Sequence, residues 1–71
     1  MSVQSRIQKA RRAELDRSTR ELHSLKSELD EAYRLFDQSL DPTLTESCIF
    51  QINALNSRYD HTLKGIKSMF L

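Results

Sequence analysis

From Ser2 to Asp41 the chain has neither glycine nor proline, and within that stretch Leu15, Leu22, Leu29 and Phe36 fall at every seventh position. Large apolar side chains at that interval mark a helix that buries one stripe against another helix, as in a coiled coil. Leu25 and Ala32 stand three residues after Leu22 and Leu29, and Tyr33 stands four after Leu29. The stripe is therefore an a/d seam widened by an e position, the face that a bundle helix buries. Glu, Lys, Arg and Ala fill most other positions and favour helix on their own account. Upstream of Ala13 the stripe thins to Val3, Ile7 and Ala10, so Met1 to about Gln4 is expected to fray.

The periodicity stops at Ser39-Leu40-Asp41-Pro42-Thr43. A proline disfavours helical backbone at the residue before it, so a helix arriving from Leu40 should end at Asp41. Asp41 can then cap a new helix with Pro42 in its first position, where a missing N–H costs nothing. Thr43-x-x-Glu46 offers a second start two residues later, as a capping box. Either register is expected to leave Glu46 in the first turn, where its charge suits the helix dipole.

Beyond the break Cys48, Ile52, Leu55, Tyr59, Ile66 and Met69 continue an a/d stripe, interrupted by Thr62 and widened on one side by Ile49, Leu63 and Phe70. Gly65 weakens this helix by about 1 kcal/mol relative to alanine, and fraying from there onward is an open outcome. The reading is one all-α domain over 1–71: helix at about 4–39, turn at 40–42, helix at about 43–69, and a basic N-terminal arm at 1–12. A connection this short forces the helices antiparallel. Phe36 should lie opposite about Ile49, Leu29 near Leu55, Leu22 near Leu63 and Leu15 near Met69. Residues before Ala13 then overhang by about 18 Å if helical.

A two-helix hairpin of 71 residues has little core, and small domains generally need a further source of stability. One cysteine, Cys48, excludes an intrachain disulfide, and His23 and His61 belong to no Cys/His cluster with metal-ligand spacing. No cofactor is expected. Association remains, because stripes this wide exceed the contact line of two helices. The packing face comprises Leu15, Leu22, Leu25, Leu29, Phe36, Ile49, Ile52, Leu55, Tyr59, Leu63 and Ile66. A homodimer closing into a four-helix bundle is the simplest arrangement, and another helical protein on the open face is the competing one. No apolar run approaches the roughly 18 residues of a membrane span. No apolar segment follows the basic start as in a secretory signal, and a lone cysteine suits a reducing compartment, so a cytoplasmic protein is expected.

The net charge of +1 is unevenly spread. Arg6, Lys9, Arg11, Arg12, Arg17 and Arg20 against Glu14 and Asp16 give residues 1–20 a net +4. Residues 21–46 carry −5, from seven acids against Lys26 and Arg34. The arm suggests a nucleic-acid accessory as an alternative function, with Arg11 and Arg12 as contacts. Against it stand an isoelectric point near 7.9 and the lack of aromatic side chains among the basic ones. A solvated arm or a protein contact is the preferred reading. Glu28, Asp30, Glu31 and Asp37 resemble catalytic carboxylates only in type; on a charged helix face beside Lys26 and Arg34 they read as a solvated surface. Cys48 reads as a small buried apolar residue, since no His or Asp stands ready to activate it. Phe50 falls off both stripes and either packs beneath the turn against Leu40 and Leu44 or marks a partner surface.

The run Leu29-Asp30-x-Ala32…Phe36-Asp37-x-Ser39-x-Asp41-Pro42-x-Leu44, with Ile49-Phe50-x-Ile52-x-Ala54-Leu55-x-x-Arg58-Tyr59-x-x-x-Leu63-x-x-x-Lys67, resembles the YaaL-like family of short proteins from Gram-positive bacteria. The likeness covers about residues 22–67, and an aromatic at Phe50 belongs to its pattern. That family has no established activity, so the resemblance implies a bacterial cytoplasmic hairpin and no chemistry. Ser27-Glu28-Leu29-Asp30 also echoes the Ser-Gln-Glu-Leu-Asp motif of Spo0E-like aspartyl-phosphate phosphatases. It lacks the glutamine, lies in the first helix rather than the second, and spends Leu29 on packing. A response-regulator phosphatase is thus a third function to test, beside a non-enzymatic hairpin and a nucleic-acid accessory.

Overall fold

The computed structural model describes residues 3–70, and these form two α-helices joined by a tight turn: α1 (Val3–Gln38) and α2 (Pro42–Ser68). The all-α hairpin expected from the periodicity is what is found, with each boundary displaced by a single residue. Val3 and Gln4 are helical, contrary to the fraying expected there, while Met1 and Ser2 lie outside the described residues. At the other end α2 runs through Gly65 to Ser68, where the Ser68 hydroxyl donates to the Gly65 carbonyl at 2.8 Å. Lys67 sits in this last turn and favours the helix dipole.

The turn selects the first of the two possible starts for α2. Asp41 is extended (φ −93°, ψ 119°), and its Oδ1 accepts from the Thr43 backbone N–H at 2.9 Å, with Pro42 directly after it. Thr43 is consequently inside the helix and the capping box does not form. Glu46 therefore lies beyond the first turn, which holds no acid, correcting the position expected for it. The Ser39 hydroxyl donates to the Asp41 carbonyl at 3.1 Å and receives the Thr45 hydroxyl at 3.0 Å. These bonds tie the end of α1 to the start of α2 and set the register.

Stepping outward from the Ser39–Thr45 pair by threes and fours brings Ala32 level with Ile52, Leu29 with Leu55, Leu25 with Tyr59, Leu22 with Thr62 and Leu15 with Met69. The core follows this ladder: Leu25, Leu29, Ala32, Ile52 and Leu55 are buried together, and Tyr59 packs against them. Cys48 is buried nearer the turn as a free thiol. Thr62, read from sequence as an interruption, fills its seam position and is buried, and among the described residues no buried side-chain polar atom lacks a hydrogen-bond partner.

The hairpin is a rod of 59 × 16 × 13 Å. The 36 residues of α1 account for about 54 Å of that length. Residues 3–14 are all exposed, and the first of them extend past the end of α2, so an overhang is present.

Gly65 is helical, and a Cβ built there meets no atom within 4 Å. Alanine should fit without strain and remove the glycine's backbone-entropy cost. Gly65→Ala is expected to stabilise the fold by about 1 kcal/mol. Thermal unfolding followed by circular dichroism should show a midpoint raised by roughly 4–8 °C.

Candidate functional site

The a/d seam divides the surface into two flanks. In an antiparallel pair the e positions of one helix lie beside those of the other, and the g positions pair on the opposite side. With Leu15, Leu22 and Leu29 at a, the e flank of α1 carries Arg12, Thr19, Lys26 and Tyr33. With Ile52, Tyr59 and Ile66 at a, the e flank of α2 carries Ile49, Asn56, Leu63 and Phe70. The structure agrees, since Arg12 and Phe70 line one notch together with Arg11, Leu15 and Met69.

The e flank is the more apolar of the two, although Arg12, Thr19, Lys26 and Asn56 interleave its apolar side chains and the g flank carries exposed Leu35 and Leu44 near the turn. Tyr33 is 47% exposed, Ile49 45% and Phe70 73%, while Leu63 is half-buried. Of the residues assigned to the packing face, Leu25, Leu29, Ile52 and Leu55 are buried, and Leu15, Leu22, Tyr59, Leu63 and Ile66 are half-buried. Phe36 and Ile49 are exposed within the single chain, so neither belongs to the core of the hairpin. The reasons differ: Phe36 is level with the small Cys48, which cannot cover a ring, and Ile49 stands one residue off the seam.

The g flank is polar toward the open end. Glu14 and Glu21 from α1 meet Gly65 and His61 from α2 around an open groove of about 680 Å³. His61 is exposed, and nothing in the sequence alone brought it together with these acids. Pairing g positions joins Glu21 to Gly65, whereas His61 stands at a c position and is not reached by that assignment. Among the described residues no group of three His, Cys, Asp or Glu side chains is placed to hold a metal ion.

Arg6, Lys9, Arg11 and Arg12 project from the overhang and are all exposed. Along the middle of α1, Arg34 grips Glu31 in a bidentate fork, Nε to Oε2 at 3.0 Å and Nη2 to Oε1 at 2.5 Å. The hydrogen bond from Arg34, and then its charge, hold the Glu31 carboxyl below the usual range, and the same fork raises Arg34. A carboxylate kept ionised in this way is unsuited to act as a general acid near neutrality. Ser27, Glu28 and Asp30 are exposed, whereas Leu29 between them is buried in the seam. Phe50 is 70% exposed and Leu40 99% exposed, which rules out packing of that ring beneath the turn; Phe50 faces directly away from α1.

No described helix is long and apolar enough to cross a membrane. No curated protein and no solved structure matches the chain. The sequence pattern of one family does, over residues 1–69, and its description is "Protein of unknown function (DUF2508)". With the match running from the basic overhang through the turn to the end of α2, the chain belongs to the DUF2508 family.

Proposed function

We propose that this chain is a non-catalytic helical hairpin of the bacterial cytoplasm, akin to the YaaL-like proteins, that works by self-association. The observation carrying this reading is the e flank, where Tyr33, Ile49 and Phe70 stand exposed beside a core that, among the described residues, holds six buried apolar side chains. Exposed apolar side chains along one flank of so small a domain support a role in association, because burying them adds the stability that the seam alone supplies sparingly. Closing two such flanks on each other makes a four-helix bundle with its own core. The measurement is the thermal midpoint as a function of chain concentration. Self-association couples folding to mass action, so the midpoint should rise over a hundredfold concentration range. A midpoint independent of concentration would count against it.

The solvent-exposed overhang favours a second reading, in which its four cations touch nucleic acid. That reading predicts a salt-sensitive shift of DNA or RNA mobility that disappears when Arg11 and Arg12 are neutralised. The phosphatase reading predicts faster loss of aspartyl phosphate from a response regulator, abolished by Asp30→Ala. Asp30 is exposed beside the buried Leu29.

A further inference from the structure

We propose that the apolar e flank is covered by a second copy of this chain lying antiparallel to the first, the turn of each beside the open end of the other. The inference rests on the self-association proposed above and adds the occupant's orientation.

The rod carries a charge gradient along its 59 Å axis. Residues 28–57, the turn half, hold Glu28, Asp30, Glu31, Asp37, Asp41 and Glu46 against Arg34 alone, a net −5. The remaining residues, at the open end and on the overhang, carry a net +6, which restores the chain total of +1. A two-fold axis along the rod would set one acidic turn half beside the other and one basic open end beside the other. An axis across the rod sets each acidic half beside the partner's basic half. Like charges held side by side are repulsive and opposite ones attractive, so the second arrangement is selected.

The apolar pattern accommodates this arrangement. The e-flank layers are Tyr33 with Ile49, Lys26 with Asn56, and Thr19 with Leu63. They are spaced by sevens about a polar middle layer. A two-fold axis through Lys26 and Asn56 lays Tyr33 and Ile49 of one copy over Thr19 and Leu63 of the other. The parallel arrangement sets Tyr33 over Ile49 and Lys26 over Asn56, whereas the antiparallel one sets Tyr33 over Thr19 and the two copies of Lys26 side by side. The flank's side chains therefore do not select the antiparallel arrangement, and the net charge of the two halves does.

The test uses Leu40, which is 99% exposed at the turn. Leu40→Cys in a Cys48→Ala background, in the full chain, carries one spin label per copy, and sedimentation before labelling establishes its mass. Antiparallel copies place the two labels about 40 Å apart, from the helix rise between the turn and the middle layer, whereas parallel copies place them within about 20 Å. The antiparallel dimer should also weaken about threefold or more as sodium chloride rises from low salt to about 1 M, since salt screens attraction between its ends. A dimer with the short distance, or one that tightens with salt, overturns the orientation and leaves self-association standing. A chain that stays monomeric throughout overturns both.

Discussion

Leu25→Ala is expected to destabilise the hairpin by about 2–5 kcal/mol, enough to leave much of the population unfolded at physiological temperature. Among the described residues Leu25 is the one large side chain with essentially no exposed surface, at 1%, and it lies mid-seam between Leu22 and Leu29, level with Tyr59. Truncation removes its transfer free energy and opens a cavity that neighbouring layers, fixed in register by the Asp41 cap and the Ser39–Thr45 bond, cannot readily close. A domain of this size has only about 4–11 kcal/mol of stability in total. Urea titration should therefore show a midpoint far below that of the parent. Leu40→Ala, at a side chain almost wholly in solvent, is the control and should change stability by less than about 0.5 kcal/mol. Equal midpoints for the two variants would mean that the seam is not the source of the fold's stability.

Tyr33→Gln with Ile49→Gln is expected to abolish self-association while leaving the hairpin folded. Both side chains are nearly half exposed in the single chain and neither belongs to its core cluster. Glutamine keeps the helix propensity and adds no charge, so the variant isolates apolar burial on the e flank from electrostatics. A symmetric dimer contains each position twice, which makes four apolar side chains lost per interface. At about 1 kcal/mol for the further burial each would undergo, the dissociation constant should rise roughly a thousandfold. Sedimentation of the variant at concentrations where the parent associates reads this directly, with helical circular dichroism confirming the fold. Unchanged association would place the interface elsewhere, and Phe50, pointing away from the seam, would be the next position to test.

The hairpin itself was legible because its determinants are local. Seven-residue spacing, the absence of glycine and proline before Asp41, and the Asp41-Pro42 pair each constrain backbone within a few residues, and the structure follows them to within one residue at every boundary. The packing register was legible to within one residue: Leu29 with Leu55 and Leu15 with Met69 stand as counted, while Phe36 is level with Cys48 rather than Ile49 and Leu22 with Thr62 rather than Leu63. What sequence alone left open depends on three-dimensional size matching. Phe36 lies on the stripe yet is exposed because Cys48 opposite it is small, and Thr62 is polar yet buried because its seam position must be filled. The choice between Asp41 and Thr43 as cap turned on two residues, and with it went the placement of Glu46. The polar groove around Glu14, Glu21, His61 and Gly65 joins residues forty or more positions apart in sequence. It becomes visible only after the two helices are paired flank to flank. Glu31 is paired with Arg34, and Cys48 is buried in the seam as a free thiol.

The measurement that bears most directly on the central claim is sedimentation equilibrium of the unaltered chain from low to high micromolar concentration. Self-association through the apolar flank predicts a mass approaching twice the 8.3 kDa of one chain as concentration rises. A fully helical species that remains at 8.3 kDa across the whole range would contradict it.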